Sequence, residues 1–488
     1  MSGGALILLA LAIPIGGALL LWVVGRTPFL RNEVSLVTSC GLLAAVAALT
    51  PSVLAGARPA ISLFEFAPGL AFAFEVEPLG MLFALLASFL WIVTTIYSIS
   101  YLSANGEPHR TRFHICFALA LASAVGIAFA GNMLTLFFFY EALTLCTYPL
   151  VAHSGTEEAR RGARRYLAIL LSTSIMLLLL AVLWTWVAVG TLDFRAGGIL
   201  AGQVSESVMA VLLVLYVFGV GKAALMPFHG WLPAAMVAPA PVSALLHAVA
   251  VVKAGVFTIV KIALYIFGLD AIRDFASGEW LLYVAGATIL IASLIALRQD
   301  NLKHRLAYST VSQLSYVVLG VAIANAHAVM GASMHIAMHG FAKITLFFCA
   351  GAIYTAAGKT HISQLDGIGR HMPVTMGAFA VGALALIGLP PFAGAWSKYY
   401  LVLGSLDEGD YAVLAVLLVS SLLNALYFLP IVVRAFFPTG GEPRPVAGGI
   451  AEAPKLQLVA ISITALGTVA LFAYPQFLFD LLRPLVKM

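Results

Sequence analysis

Uniformly apolar stretches recur along the whole chain, separated by short polar runs. A helix needs about 20 mainly apolar residues to cross a bilayer. Fourteen stretches qualify: 3–25, 34–55, 78–101, 113–131, 132–152, 164–189, 207–226, 241–267, 279–297, 305–324, 328–357, 373–403, 409–437 and 456–475. Barrel strands alternate apolar and polar positions over about ten residues. These runs are longer and apolar throughout, so the pattern predicts an all-α polytopic membrane protein and argues against strands.

The basic residues set the expected topology. With the N-terminus outside, 16 Lys and Arg fall in the inner loops and 5 in the outer ones, whereas the outer loops hold acids such as Asp407, Glu408 and Asp410. The excess of cations on the cytoplasmic side therefore predicts both termini on the outer, periplasmic side of the cell membrane. Residues 1–25 lack the basic start of a signal peptide, because their first cation is Arg26, and they read as an uncleaved first span.

Composition supports this reading. Of the 488 residues 62% are hydrophobic and 10% charged, against about 25% charged in a soluble domain. That excludes a cytosolic enzyme and a disulfide scaffold. The net charge of +5 is accounted for by loop cations at a bilayer, so no nucleic-acid partner is expected. Cys40, Cys116, Cys146 and Cys349 are scattered singly and read as small core residues.

Once the loop cations are set aside, five of the 26 remain inside apolar stretches: Lys222, Lys253, Lys261, Lys343 and Lys398. One acid, Glu141, joins them. Ionisable groups within the membrane are costly and mark ion or proton paths. All five cations are Lys, whose proton is exchangeable when buried, and none is Arg, whose charge is fixed. The bland alternative is one Lys–Glu pair plus lysines that snorkel toward helix ends; Lys261, near the outer end of its stretch, fits that alternative.

His335, His339 and Lys343 are spaced i, i+4, i+8, which places three titratable groups along one helix face over about 12 Å. Histidine titrates near neutral pH. The alternatives are hydrogen bonds to neighbouring helices, haem, or a metal, though no Cys, Asp or Glu sits nearby on this helix.

Backbone breakers coincide with two of the lysines. Gly219 and Gly221 precede Lys222, and Pro227-Phe228-His229-Gly230-Trp231-Leu232-Pro233 follows it. Gly388-Leu389-Pro390-Pro391-Phe392-Ala393-Gly394-Ala395-Trp396-Ser397 leads into Lys398. Both texts read Pro-Phe-x-Gly with Trp within two residues, and proline in a helix removes a donor and clashes one turn back. Paired broken helices in two halves of a membrane chain point to inverted repeats around a transport path.

Five stretches carry a family resemblance: Phe139-Tyr140-Glu141; Lys222 to Pro233; Pro239 to His247 with Val252-Lys253-Ala254-Gly255; Asp300-Asn301-Leu302-Lys303 with Leu306 to Gln313; and Gly388 to Lys398. Together they resemble the antiporter-like subunits shared by respiratory complex I, Mrp cation/proton antiporters and membrane-bound hydrogenases. The resemblance spans about residues 70–440. It implies three N-terminal helices in residues 1–110, a first five-helix repeat in 111–268, an inverted second in 269–437, and a last helix and tail in 438–488. It also implies that Glu141 pairs with Lys222, that Lys253 with His247 passes charge inward, that His335, His339 and Lys343 form the central run, and that Lys398 is the outer outlet. Many members carry Asp and His after Trp-Leu-Pro, where this chain has Ala234 and Met236.

The resemblance further implies a subunit that is not catalytic by itself. Its partners would be other hydrophobic subunits and the lipid bilayer, and its substrates protons and, in an antiporter, sodium. No nucleotide fingerprint or cysteine cluster is present, so no cofactor is expected and the energy source is assigned to partner subunits. The compact length and missing lateral helix favour a D-type Mrp-like subunit; the alternative is the pumping subunit of a complex I-like oxidoreductase or an energy-converting hydrogenase. Two readings from other classes are a haem enzyme using His335 and His339, which a visible spectrum would decide, and a self-sufficient transporter.

Overall fold

The computed structural model describes residues 2–245, 249–274, 278–437 and 451–487. Helices dominate: α1 (Gly3–Val24), α2 (Pro28–Leu54), α3 (Pro78–Ala104), α4 (Arg110–Ala128), α5 (Met133–Val151), α6 (Glu157–Val189), α7 (Glu206–Gly219), α8 (Val251–Ile262), α9 (Trp280–Arg298), α10 (Leu302–Ile323), α11 (Ala326–Ala357), α12 (Pro373–Ile387), α13 (Gly394–Asp407), α14 (Tyr411–Phe436), α15 (Lys455–Ala473) and α16 (Gln476–Leu482). Among the described residues, eleven helices are long and apolar enough to cross a bilayer, and the chain is a multi-pass membrane protein. The other three apolar stretches, 207–226, 241–267 and 373–403, are interrupted: their main helical parts are α7, the short helix Ala240–Ala244 and α8 with the π-turn Ala263–Phe267, and α12 with α13.

Two short strands are present where none was expected. Ala60–Ala67 (β1) and Leu70–Glu75 (β2) form an antiparallel hairpin between α2 and α3. Pro68-Gly69 makes its two-residue turn, with Gly69 in the left-handed region at φ +74°. The hairpin is fixed to the start of α5, where Asn132 donates to the Ala71 carbonyl at 2.7 Å and Ala73 N–H donates to Thr135 Oγ1 at 3.1 Å. The length criterion for barrel strands does not apply to so short a ribbon, which closes on its own turn and on a helix end.

Two faces result. The hairpin face carries β1, β2 and the links 129–132 and 190–205. The opposite face carries the links 105–109, 152–156, 299–301 and 358–372, flanked by the basic helix ends Arg110, Arg112, Arg160, Arg161, Arg298, Lys303 and Arg305, and is the basic face. Between them α10 and α11 are almost wholly buried, whereas α1, α6 and α14 present apolar side chains such as Trp22, Val187 and Leu418 to their surroundings. The buried pair is unusually polar for a core: Ser309, Thr310, Ser312, Gln313 and Ser315 lie on α10, and His335, His339 and Lys343 on α11.

Both breaker texts interrupt helices. α7 ends at Gly219, and Ala224 adopts φ +55°. Freed backbone groups at membrane depth need protein partners, and Trp231 Nε1 supplies one by donating to the Gly221 carbonyl at 2.9 Å. In the second text α12 ends at Gly388, whose φ of +93° suits glycine. Trp396 Nε1 there donates to Phe472 O of α15 at 3.0 Å, and Ala393 N–H donates to Thr468 O, also at 3.0 Å. The two tryptophans thus do related work with different acceptors.

Candidate functional site

The ionisable groups singled out from the sequence come together around α8, α10 and α11. Lys222 sits in the first break. Its ammonium donates to the Tyr140 carbonyl at 2.8 Å and to Thr144 Oγ1 at 2.6 Å, and lies 3.2 Å from the centroid of the Tyr140 ring. Gly255, one turn beyond the start of α8, lets that helix press against the Lys222–Ala223 backbone; a Cβ there would collide with it. The Lys-Ala-Gly text therefore brings Lys253 beside the broken segment.

Lys253 is fully buried, and its Nζ lies 2.5 Å from His339 Nδ1. The His339 ring stacks on that of His335 with centroids 5.6 Å apart, and His335 Nδ1 is 2.9 Å from Ser397 Oγ. Tyr316 also stacks on His335, with centroids 5.6 Å apart, and Lys398 Nζ lies 5.1 Å from the Tyr316 centroid. A nearly continuous polar run thus joins Lys253 to the second break. Lys398 donates there to Ile387 O at 2.8 Å and to Ser421 Oγ at 3.0 Å.

The i+8 member of the histidine helix departs from the run. Lys343 points to α10, donating to Ser309 Oγ at 2.7 Å and to Leu306 O at 3.2 Å. Lys222, Lys343 and Lys398 therefore share one environment, a backbone carbonyl plus a hydroxyl. Such acceptors accommodate a charged or a neutral amine without leaving a carboxylate behind. Sequence reasoning missed these hydroxyls because Ser and Thr are ordinary in membrane helices; their signal was a serine or threonine on the helix facing each buried lysine.

Glu141 does not close the expected pair with Lys222. Its carboxylate oxygens are buried without a hydrogen-bond partner among the described residues; the carboxylate acts on Lys222 electrostatically, without direct contact. The reason is helical phase. Glu141 shares the face of exposed Phe138 and Leu145, whereas Lys222 approaches Tyr140 and Thr144, one residue earlier and three later on α5. His247 lies outside the described residues.

Lys261 is also placed differently from the snorkelling reading. It is 1% exposed and its Nζ lies 3.6 Å from Glu77 Oε1. Glu77 at the same time caps α3 by accepting from Leu79 and Gly80 N–H, and accepts from Tyr265 OH at 3.1 Å. Glu77 is a second buried acid. It was passed over because it falls one residue before an apolar stretch, where an acid reads as a loop or cap.

Fold and site define a class: a multi-pass helical membrane protein with two broken helices and a buried chain of exchangeable lysines and histidines. Residues 130–424 match the family described as "NADH:quinone oxidoreductase/Mrp antiporter, TM", and the chain belongs to this family of antiporter-like membrane subunits. It is 34% identical over 456 residues to NADH-quinone oxidoreductase subunit N of Desulforudis audaxviator, covering 91% of this chain and 90% of that one. Longer relatives named chain 5 or subunit 5 also match, and the chain spans about half of their length. Its fold is similar to a chain of the Mrp complex of Dietzia sp. (TM-score 0.87, 24% identity, 99% and 97% of the two chains covered). A chain of the membrane-bound sulfane sulfur reductase, an archaeal respiratory membrane complex, is equally similar (TM-score 0.87, 23% identity, 98% and 97% covered).

Proposed function

We propose that this chain is the proton-translocating subunit of a larger membrane complex. Protons move along Lys222, Lys253, His339, His335 and Lys398, with Lys343 as a side member and His247 beside Lys253. The observation that carries the reading is the nearly continuous run of contacts from Lys253 through both histidines to Ser397, with Lys398 joined to it across the Tyr316 ring. Stability does not require three buried lysines and a half-buried fourth whose ammonium groups rest on carbonyls, hydroxyls or a histidine, and such a set suits proton exchange. In this reading the chain has fourteen spans, and residues 111–268 and 269–437 are two inverted repeats, each contributing one broken helix. Both termini lie on the outer side.

Glu141 acts as the switch. Open, as here, it leaves Lys222 on neutral acceptors; a shift at a neighbouring subunit that brings the carboxylate to Lys222 holds the proton there, and separation releases it toward Lys253. Glu141→Ala or Lys222→Ala in the assembled complex abolishes ion translocation with assembly intact. Near-normal pumping in assembled Glu141→Ala would sink the scheme.

Two energy sources are compatible with this site. Identity of 34% over nine-tenths of both chains to a subunit N favours a redox-driven pump. The alternative is a D-type Mrp-like module that exchanges sodium for protons, with which the fold match over nearly the whole of a chain of an Mrp complex is compatible. The proteins that co-purify decide: a flavin or iron–sulfur subunit marks the redox pump, and only small hydrophobic subunits mark the antiporter.

A further inference from the structure

A cavity of about 340 Å³ opens on the basic face. At about 30 Å³ per water it has room for on the order of ten molecules. Its walls come from the link after α3, the segment after the first break, the start of α10 and the end of α11. Met236 and Ala238 line it from the broken segment, so that segment adds no titratable group. The polar character is supplied by Glu107, Glu158, Lys303 and His304. With Lys359 also on the wall, two acids balance two lysines, and the cavity presents no net charge barrier to a cation.

Lys303 belongs to the Asp-Asn-Leu-Lys text, to which the axis above gives no role. Its Nζ donates to Ala238 O at 2.5 Å, pinning the broken segment as one wall. Glu107 lies 3.7 Å from His153 Nε2 and is only 18% exposed. Burial raises its carboxyl above the usual range, which brings proton exchange at this site closer to neutral pH.

The position of the cavity along the helices gives its direction. Ala350 and Gly351 of α11 line it. Lys343 lies seven residues before Ala350, on the same helical face to within about 20° and about 10 Å deeper. On α10 the cavity touches Leu302 and Lys303, and the acceptors of Lys343 are Leu306 O and Ser309 Oγ, one and two turns further in. From two independent helices the cavity thus lies directly above Lys343.

We propose that this cavity is a water-filled inlet on the basic face that delivers protons to Lys343, separately from the Lys222 break. Glu107 collects the proton, and Lys303 holds the wall open as a positioning residue. The inference rests on the proton-translocating reading. It explains why Lys343 turns away from the histidines toward α10, and why the broken segment does without polar side chains at its inner mouth.

The test uses the whole complex in sealed vesicles of each orientation. In a Cys40→Ser background, Ala350→Cys is exposed to a membrane-impermeant thiol reagent. Rapid labelling from the basic face and none from the hairpin face is expected. In parallel, Glu107→Gln and Ala350→Phe are assayed for proton uptake per turnover, with a several-fold loss expected while assembly and partner-subunit activity persist. Absence of basic-face labelling overturns the inlet, and so does wild-type proton uptake in both Glu107→Gln and Ala350→Phe. If Ala350→Phe fails to assemble, labelling and Glu107→Gln still decide. Labelling does not depend on turnover, so a failed inlet is distinguishable from failure of the translocation reading, which Glu141→Ala tests.

Discussion

Glu77→Gln is expected to destabilise the protein more than Lys261→Met, although the two residues are partners in one buried pair. Their charged atoms are 3.6 Å apart, with side chains 4% and 1% exposed. At that separation and an effective dielectric of about 20, the gross attraction is about 5 kcal/mol before desolvation is subtracted. Removing one member of a buried pair typically costs about 3–5 kcal/mol, because the other is left as an uncompensated charge. The structure distributes that cost unevenly. Without Lys261, Glu77 keeps three donors, Leu79 N–H at 2.8 Å, Gly80 N–H at 2.9 Å and Tyr265 OH at 3.1 Å. Without a charged Glu77, Lys261 keeps one carbonyl, Ala130 O at 2.8 Å, the Phe194 ring at 4.3 Å, and only the more distant, partly exposed Glu75, which is itself paired with Arg58.

Lys261→Met should therefore cost about 1–3 kcal/mol and Glu77→Gln about 3–5 kcal/mol. The double variant should fall short of the sum by about 2 kcal/mol or more, since neither charge is then stranded. The assay is the thermal or denaturant midpoint of the detergent-solubilised assembled complex, read as a double-mutant cycle. Equal single costs, or costs that add to within about 0.5 kcal/mol, would refute the reasoning.

Trp231→Phe keeps an aromatic side chain but removes the pyrrole half of the buried indole and leaves the Gly221 carbonyl without its donor; a loss of about 1–3 kcal/mol is expected from the stranded carbonyl, with lost packing adding to it, and faster proteolysis between residues 220 and 240 is the readout. Lys398→Glu should retain more proton translocation than Lys398→Ala in the reconstituted complex, because another exchangeable group would stand there with the Ser421 hydroxyl able to donate to it, and equal loss in both would remove Lys398 from the path. On the basic face, Arg434 grips Asp366 with two hydrogen bonds of 2.7 and 2.9 Å, which holds the Asp366 carboxyl below its usual range. A depressed folded value means that the stabilisation is complete above the unfolded pKa of about 3.9 and fades as pH falls below it. Asp366→Asn should therefore lower the midpoint by a constant amount at neutral pH, worth no more than about 1 kcal/mol for so exposed a pair. The difference from the unsubstituted protein should close only in strong acid.

The apolar pattern located every long helix because span length is fixed by bilayer thickness and needs no tertiary information. Breaks at Gly219 to Pro227 and Gly388 to Pro391 were legible for a similar local reason, the backbone limits of glycine and proline. Six charges within the apolar stretches, four of them fully buried, could be picked out because a lone ionisable residue in an apolar run has no local explanation. The hairpin at residues 60–75 was hidden by a criterion meant for longer strands, though Pro68-Gly69 marked its turn.

The partners of those charges belong to the tertiary structure. Which face of α5 meets Lys222 depends on helix rotation, and that rotation leaves Glu141 open and offers Tyr140 and Thr144 instead. The turn of Lys343 toward Ser309, the contact of Lys253 with His339, and the pairing of Lys261 with Glu77 each join residues 34 to 184 positions apart in sequence. Sequence alone thus determined that the chain crosses a membrane and carries exchangeable charge within it, because burial in lipid penalises each such residue one at a time. Only the packed helices decided which charges touch, because hydrogen bonds and ion pairs depend on distances that no spacing along the chain contains.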